Sequence, residues 1–164
     1  MKRIVSLQVN GTEREVAVEP HHTLLDVLRR EFDLLSVRES CGIGMCGSCT
    51  VLADDKPLSS CLVLAALAQG RKLVTVEGLS TAGELHPIQQ AYLDHNAFQC
   101  SFCTPGFILG TKALLEENPS PTVEEVRECL SGHLCRCGSY VKIVDAVLDA
   151  AERLRDGHRP ETAP

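Results

Sequence analysis

The stretch Cys41-Gly-Ile-Gly-Met-Cys46-Gly-Ser-Cys49 places three thiols in one glycine-rich loop, and Cys61 follows after eleven further residues. The spacing C-x4-C-x2-C with a distant fourth cysteine is the plant-type pattern of a [2Fe-2S] cluster. The glycines permit positive φ angles and leave backbone N–H groups free to approach the inorganic sulfides of a cluster. We therefore predict an iron–sulfur site in this loop, with four ligands: Cys41, Cys46, Cys49 and Cys61.

Two alternatives remain open for this first cysteine set. Zinc also binds four cysteines, but structural zinc sites usually pair two knuckles of similar spacing, so the spacing favours iron and sulfide. Cys61 stands beside Leu62 and near Leu64. Because free cysteine is commonly buried, Cys61 could instead be an ordinary apolar residue.

The residues on both sides of the loop predict a small sheet with one helix. Alternating apolar residues around Asn10-Gly11 predict a β-hairpin over residues 2–19. Thr23 offers an N-cap for an amphipathic helix that ends near Glu31. Beyond the loop, strand patterns return three times, at residues 50–53, around Leu58 and at residues 73–76, with residues 54–56 as a turn. We therefore predict one helix laid over a mixed sheet.

After Gly78, helical patterns replace the strand patterns. Prolines, capping residues and apolar spacing predict four short helices, over residues 87–95, 105–117, about 122–130 and 140–154. Four short helices in sequence favour a small bundle. The fold class predicted is α+β, with a first domain over residues 1–78 and a four-helix domain over residues 79–164.

A second cysteine set lies in the helical half. Cys100-x2-Cys103 precedes a predicted helix with Thr104 as its cap, so the positive end of the helix dipole would face these thiols. Cys135-x-Cys137 lies between the third and fourth predicted helices. Taken alone, this set could bind an iron–sulfur cluster or zinc, or act as a redox dithiol. The ninth cysteine, Cys129, lies in an apolar helical stripe and is predicted to be a core residue.

Composition restricts the function classes. With 164 residues and 44% hydrophobic content the chain can form a packed core, and its net charge of −6 argues against a nucleic-acid surface. The longest apolar stretch, residues 61–68, is too short to cross a bilayer, and the residues after Met1 do not resemble a signal peptide. We expect a cytoplasmic protein. In the cytosol cysteines stay reduced, so this pattern of cysteines favours metal binding over disulfides. Because no nucleophilic triad, phosphate loop or carboxylate pair is evident, we expect substrate chemistry on another chain.

Three segments together resemble the iron–sulfur (small) subunit of the molybdenum hydroxylases, the xanthine oxidase and carbon monoxide dehydrogenase family. They are residues 41–49, Gln99-Cys-Ser-Phe-Cys-Thr-Pro-Gly106 and Gly132-His-Leu-Cys-Arg-Cys137, and the resemblance extends over about residues 3–155. It implies a ferredoxin-like β-grasp domain with a plant-type [2Fe-2S] cluster. It also implies a helical domain whose second [2Fe-2S] cluster is held by Cys100, Cys103, Cys135 and Cys137.

The resemblance also implies partner subunits. A large subunit would hold molybdenum on a pterin, a medium subunit would hold FAD, and the complex would be a heterotrimer or its dimer. Electrons from molybdenum would pass through the helical-domain cluster and then the ferredoxin-domain cluster to FAD. By the same resemblance, Gln99 would offer its amide to the pterin ring and Cys137 would link cluster to pterin. An ordinary structural role for Gln99 is the alternative.

Three positions depart from the usual family pattern. Ser101 stands where Gly is usual, His133 where Asn is usual, and Gly138-Ser139 where Thr-Gly is usual. None of them removes a ligand, but each could change hydrogen bonding to sulfur and therefore the reduction potential. Two other function classes remain, a free-standing ferredoxin-like carrier and a zinc-stabilised interaction module. The sequence leaves the substrate open among carbon monoxide, N-heterocycles, aldehydes and aromatic thioesters.

Overall fold

The computed structural model describes residues 2–81 and 83–157, so the last part of the predicted second domain, residues 158–164, lies outside the described residues. The fold is mixed α+β, as predicted. Five strands form one sheet: β1 (Arg3–Val9), β2 (Thr12–Val18), β3 (Thr50–Ala53), β4 (Lys56–Ser59) and β5 (Lys72–Val74). Five α-helices accompany it in the described residues: α1 (Leu24–Arg30), α2 (Pro87–Asp94), α3 (Thr104–Glu117), α4 (Val123–Cys129) and α5 (Tyr140–Arg155).

The sheet has the strand order β2-β1-β5-β3-β4. The predicted hairpin is confirmed: β1 and β2 pair antiparallel, with Arg3 opposite Val18 and Val9 opposite Thr12. Asn10 and Gly11 both have positive φ angles, 50° and 76°, which is the turn that matches the twist of the strands. β1 pairs parallel with β5, whereas β3 pairs antiparallel with both β4 and β5.

Helix α1 begins at the predicted cap. The Thr23 side chain accepts a hydrogen bond from the backbone of Asp26, and the Asp26 carboxylate accepts one from the backbone of Thr23. This reciprocal pair satisfies N–H groups that the first helical turn leaves open. The apolar face of α1 is buried against the sheet, through Leu24, Leu25, Val27 and Leu28. Each such side chain contributes roughly 1.5–3 kcal/mol through removal from water.

The prediction of a strand over residues 73–76 was wrong at its end. β5 stops at Val74, and Val76–Gly78 forms a 3₁₀ turn. Asn10 explains the change of direction, since its side chain accepts a hydrogen bond from the backbone N–H of Thr75 and donates one to the Thr75 hydroxyl. At Thr75 these two side-chain hydrogen bonds take the place of the backbone hydrogen bonds that would continue the strand.

All four helices predicted after Gly78 are present. The sequence offers Thr122 or Ser120 as the cap of α4, and the structure uses Thr122, in a reciprocal pair with Glu125. The predicted cap of α3 was wrong: Cys103 occupies the N-cap position and Thr104 is the first helical residue. The Thr104 hydroxyl is buried without a hydrogen-bond partner, because it lies inside the first turn rather than before it.

The apolar residues form two clusters. One lies between the sheet and α1, and the other joins the four later helices. Leu52 of β3 is fully buried in the second cluster. The sheet therefore packs directly against the four later helices through Leu52. No helix within residues 2–81 and 83–157 combines the length and the apolar character needed to cross a membrane.

Candidate iron–sulfur sites

The first cysteine loop turns sharply at three glycines. Gly42, Gly44 and Gly47 have φ angles of 66°, 75° and 70°, which side-chain-bearing residues rarely adopt. At Gly44 a Cβ would also lie 2.3 Å from Cδ1 of Leu62, so the loop closes tightly over the segment that carries Cys61. The glycines are therefore required both by backbone angle and by space.

The four predicted ligands of this loop lie together as two pairs. The Cys41 thiol lies beside that of Cys46, and the Cys49 thiol beside that of Cys61. The backbone N–H of Ile43, together with Cys46, lowers the pKa of Cys41 to about 6. Burial, reinforced by Cys49, raises the pKa of Cys61 to about 11. Backbone N–H groups of this loop thus point at the sulfur of Cys41.

Cys61 is carried by a separate element that is fastened to the loop. The 3₁₀ turn Ser60–Leu62 follows β4, and the Ser60 hydroxyl donates a 2.7 Å hydrogen bond to the carbonyl oxygen of Cys49. The backbone N–H of Ser60 donates to the same oxygen at 3.3 Å. Two bonds to one carbonyl fix Cys61 opposite Cys49.

The second cysteine set also lies together as two pairs. The sulfur atoms of Cys100 and Cys137 are 3.5 Å apart, and the Cys103 thiol contacts Cys135. The backbone N–H of Phe102, followed by Cys137, lowers the pKa of Cys100. Burial, followed by Cys135, raises the pKa of Cys103 to about 12. The two short loops therefore converge as the sequence predicted.

Two contacts position Cys135. The Tyr140 hydroxyl, at the start of α5, accepts a 2.8 Å hydrogen bond from the backbone N–H of Cys135. The backbone N–H of Ser139 lies 3.4 Å from the Cys135 sulfur. Burial raises the pKa of this thiol, but the hydrogen bonds from Ser139 and Cys103 outweigh burial and leave the pKa lowered.

Gln99 lies beside Cys137. Its Nε2 atom donates a 2.9 Å hydrogen bond to the carbonyl oxygen of Cys137, and the residue is exposed. The structure therefore brings together the two residues that the resemblance assigned to a pterin. One amide donor satisfies a backbone group, which agrees with a structural role, and the Gln99 carbonyl oxygen is left for another contact.

The paired arrangement fits a two-iron cluster. In a [2Fe-2S] cluster each iron takes two protein ligands, so four thiols are needed as two neighbouring pairs. A single zinc ion needs its four ligands around one centre. Both cysteine sets instead place their thiols in pairs.

The two cysteine loops touch each other directly. The backbone N–H of Leu134 donates a 3.0 Å hydrogen bond to the carbonyl oxygen of Cys46. His133 is buried, and its Nε2 lies 3.2 Å from the Thr50 hydroxyl. The sequence marked His133 as a departure from the family pattern and as an improbable Rieske-type ligand, and did not predict its place between the loops. The nearby glycines at 47, 106 and 110 were the available signal, since a Cβ at any of them would strike the imidazole or its surroundings.

Cys129 is the one cysteine outside both sets. It lies at the end of α4, and it is exposed rather than buried, so its prediction as a core residue was wrong. The apolar stripe of α4 is narrower than expected, because Val126 alone among the residues of this helix is buried. The position of Cys129 is consistent with its omission from the predicted ligands.

Comparisons with known proteins agree with this geometry. A family described as "2Fe-2S iron-sulfur cluster binding domain" matches residues 7–74, and one described as "[2Fe-2S] binding domain" matches residues 75–148. The chain is 51% identical to the nicotine 6-hydroxylase small subunit of Paenarthrobacter nicotinovorans, over 89% of this chain and 88% of that protein. It is 45% identical to the nicotinate dehydrogenase small FeS subunit of Eubacterium barkeri, over 93% and 97% respectively. The chain belongs to the iron–sulfur small subunits of the molybdenum hydroxylase family.

A solved structure supports the same family. A chain of quinoline 2-oxidoreductase from Pseudomonas putida 86 superposes with a TM-score of 0.91 at 43% identity, over 95% of this chain and 98% of that chain. As a small subunit of this family, the chain carries two [2Fe-2S] clusters and transfers electrons. It is the non-catalytic, iron–sulfur part of a molybdenum-containing oxidoreductase, so the expected function is confirmed.

Proposed function

We propose that this chain relays electrons from a molybdenum–pterin centre on a large subunit to FAD on a medium subunit. The observation that carries the proposal is the arrangement of eight thiols as two quartets of pairs, in loops joined by the hydrogen bond from Leu134 to Cys46. Each bound [2Fe-2S] cluster takes up and releases one electron at a time. The residues of the chain hold the two sites in adjacent loops.

We infer which cysteines hold each cluster and where each domain begins and ends. The first cluster is held by Cys41, Cys46, Cys49 and Cys61, and the second by Cys100, Cys103, Cys135 and Cys137. The first domain, residues 1–78, is a β-grasp domain, and the second, from residue 79, is a four-helix bundle. Support for the boundary comes from the two apolar clusters, whose residues divide near this point of the chain apart from Leu52, Val74 and Val76.

The position of Gln99 and Cys137 suggests where the large subunit binds. Gln99 and Cys100 are exposed, and Cys137 is half-buried, so this surface can be reached from another chain. We infer that the pterin lies against Gln99 and Cys137, with the Gln99 carbonyl oxygen accepting a hydrogen bond from it. FAD would then lie near the first cluster, and the complex would be a heterotrimer or its dimer.

Relatives suggest a substrate class for the complex. The relatives at 51% and 45% identity are named for nicotine and nicotinate, and the solved structure at TM-score 0.91 for quinoline. We infer that the complex hydroxylates an N-heteroaromatic ring. Assays of the purified complex with nicotinate, quinoline and simple aldehydes test this inference, and turnover of aldehydes alone would contradict it. A cytoplasmic location is proposed because cysteines that bind metal must stay reduced, as they do in the cytosol.

The relay predicts different results for ligand and non-ligand cysteines. Cys103→Ser removes one proposed ligand of the second cluster, whereas Cys129→Ser changes an exposed cysteine outside both sets. We expect the first variant to lose one of two paramagnetic signals of the reduced protein and about half of its iron, because each quartet holds two irons. We expect the second variant to keep both signals. Electron paramagnetic resonance and iron and sulfide analysis measure the outcome.

Three results would reject parts of the proposal. A colourless protein that contains zinc and no sulfide would exclude the clusters. Loss of both signals or of neither in Cys103→Ser would exclude the ligand assignment. Purification of the chain from its natural host without larger partner chains would favour a free-standing carrier over a subunit.

A further inference from the structure

Arg38 contacts both cysteine loops at once. Its backbone N–H donates a 3.1 Å hydrogen bond to the carbonyl oxygen of Ser48, between Cys46 and Cys49. Its guanidinium carbon lies 5.5 Å from the centre of the Phe102 ring, between Cys100 and Cys103. The backbone of Arg38 is therefore fixed to the first loop, while its positive charge lies on the second.

The segment that carries Arg38 is held in place by a neighbouring arginine. The guanidinium of Arg29, in the last turn of α1, donates hydrogen bonds to the carbonyl oxygens of Leu35 and Val37, at 3.2 Å and 2.6 Å. These bonds fix the backbone directly before Arg38. The side chain of Arg38 consequently leaves a defined backbone position rather than a mobile loop.

The charge of Arg38 has no acidic partner in the described part of the chain. Its Nε atom is buried without a hydrogen-bond partner, and no carboxylate within residues 2–81 and 83–157 forms an ion pair with it. By contrast, Arg30, Arg71 and Arg153 each pair with an aspartate. A cation with a buried, unpaired donor costs free energy unless an anion lies nearby. The guanidinium lies over Phe102, whose neighbours on the second loop include Cys100 and Cys103.

We propose that Arg38 is a positioning residue that supplies positive charge to the second cysteine quartet and makes that site easier to reduce. Reduction adds one electron, and hence one negative charge, to the site without transferring any atom. The electron comes from molybdenum in the relay proposed above, on which this inference rests, and from a chemical reductant in the test. A nearby cation stabilises the more negative, reduced state. The second quartet is the one affected, because Phe102 under the guanidinium donates its backbone N–H to Cys100.

The test is a redox titration of the complex, purified with its partner subunits, in which the two paramagnetic signals are followed separately. Arg38→Gln removes the charge and keeps a planar polar group, and Arg38→Lys keeps the charge. We expect Arg38→Gln to make reduction of the second site less favourable by about tenfold, a fall of 59 mV for a one-electron couple. We expect Arg38→Lys to shift it much less, and the first site to change little in either variant.

Arg14 offers a matched control. Its guanidinium carbon lies 5.2 Å from the Phe32 ring, and its Nη1 lies 3.4 Å from the carbonyl oxygen of Phe32, a residue outside both cysteine loops. Arg14→Gln therefore removes the same charge and the same type of cation–aromatic contact. We expect both potentials of this variant to equal those of the wild type.

A second route keeps the inference testable if Arg38→Gln does not assemble. Phe102→Leu removes the aromatic face and leaves the charge, so we expect a smaller fall in the potential of the same site. The inference is wrong if neither variant lowers this potential, or if Arg38→Lys lowers it as much as Arg38→Gln. Absence of one of the two signals in the wild-type complex would instead reject the relay itself.

Discussion

Ser101 adopts a backbone conformation that serves a neighbouring sulfur. Its φ angle is 61°, in the left-handed region that residues with a Cβ rarely occupy. The turn lets the backbone N–H of Phe102 approach the Cys100 thiol. The family pattern that the sequence resembles has glycine at this position, which fits the angle. The chain therefore accepts strain at Ser101 to keep a hydrogen bond to a proposed ligand.

Relief of this strain should be measurable. A residue with a Cβ in the left-handed region destabilises the folded state by about 1–2 kcal/mol. Replacement by glycine removes this cost, but the greater entropy of glycine in the unfolded chain cancels about 0.5–1 kcal/mol of the stabilisation. We expect Ser101→Gly to raise the free energy of unfolding by up to about 1 kcal/mol in chemical denaturation. Ser101→Ala keeps a Cβ and should give no gain. Equal stabilisation by both substitutions would show that the serine hydroxyl, not the backbone angle, is unfavourable.

At the scale of single elements, helix α2 begins at a histidine. His86 accepts a 3.2 Å hydrogen bond from the backbone N–H of Ile88 through Nδ1, which requires an unprotonated nitrogen. Burial, followed by the charge of Lys112, lowers the pKa of His86 to about 4. The cap is therefore lost on protonation.

The stability of the protein should depend on pH through this cap. The folded-state pKa of about 4 lies below the usual histidine value of about 6.5, so the unfolded chain binds the proton first as the pH falls. The contribution of the neutral His86 cap to the free energy of unfolding is complete above about pH 6.5 and is lost as the pH falls towards 4. His86→Asn keeps a capping acceptor that does not titrate. We expect the wild type to lose about 1 kcal/mol more unfolding free energy than this variant between pH 7 and pH 5, after allowance for solvent screening. Parallel losses in urea denaturation would contradict the assignment.

Sequence patterns predicted the elements well where the deciding contacts were local. Thr23 and Thr122 each meet a carboxylate three residues later, so both caps could be read directly. The start of α2 was predicted from Pro87, but the capping role of His86 needed its burial and the orientation of its ring. The end of β5 was missed because Asn10, sixty-five residues away, replaces the strand ladder at Thr75.

At the scale of the whole molecule, the two cysteine loops meet where two glycines face each other. A Cβ at Gly106, in the first turn of α3, would lie 2.1 Å from the carbonyl oxygen of Gly47 in the first cysteine loop. The same approach brings His133 against Gly47 and Gly110. Spacing divided eight of the cysteines into two sets, and the family resemblance implied a cluster for the second, whereas this contact joins residues far apart in the chain. The presence of a glycine in the sequence does not reveal which backbone segment lies against it in the fold.

A substitution at Gly106 tests the contact between the two cysteine loops. Gly106→Ala should favour the helix locally, because alanine is the better helix former, yet its Cβ must displace the backbone of Gly47. We expect the free energy of unfolding to fall by about 1–3 kcal/mol, as for other overpacked sites. Cluster absorbance and circular dichroism during thermal unfolding measure this change. Gly132→Ala is the matched control, since nothing lies within 4 Å of its Cβ position. If the Gly106 variant melts with the Gly132 variant and the wild type, the loops are not held together by this approach of backbones.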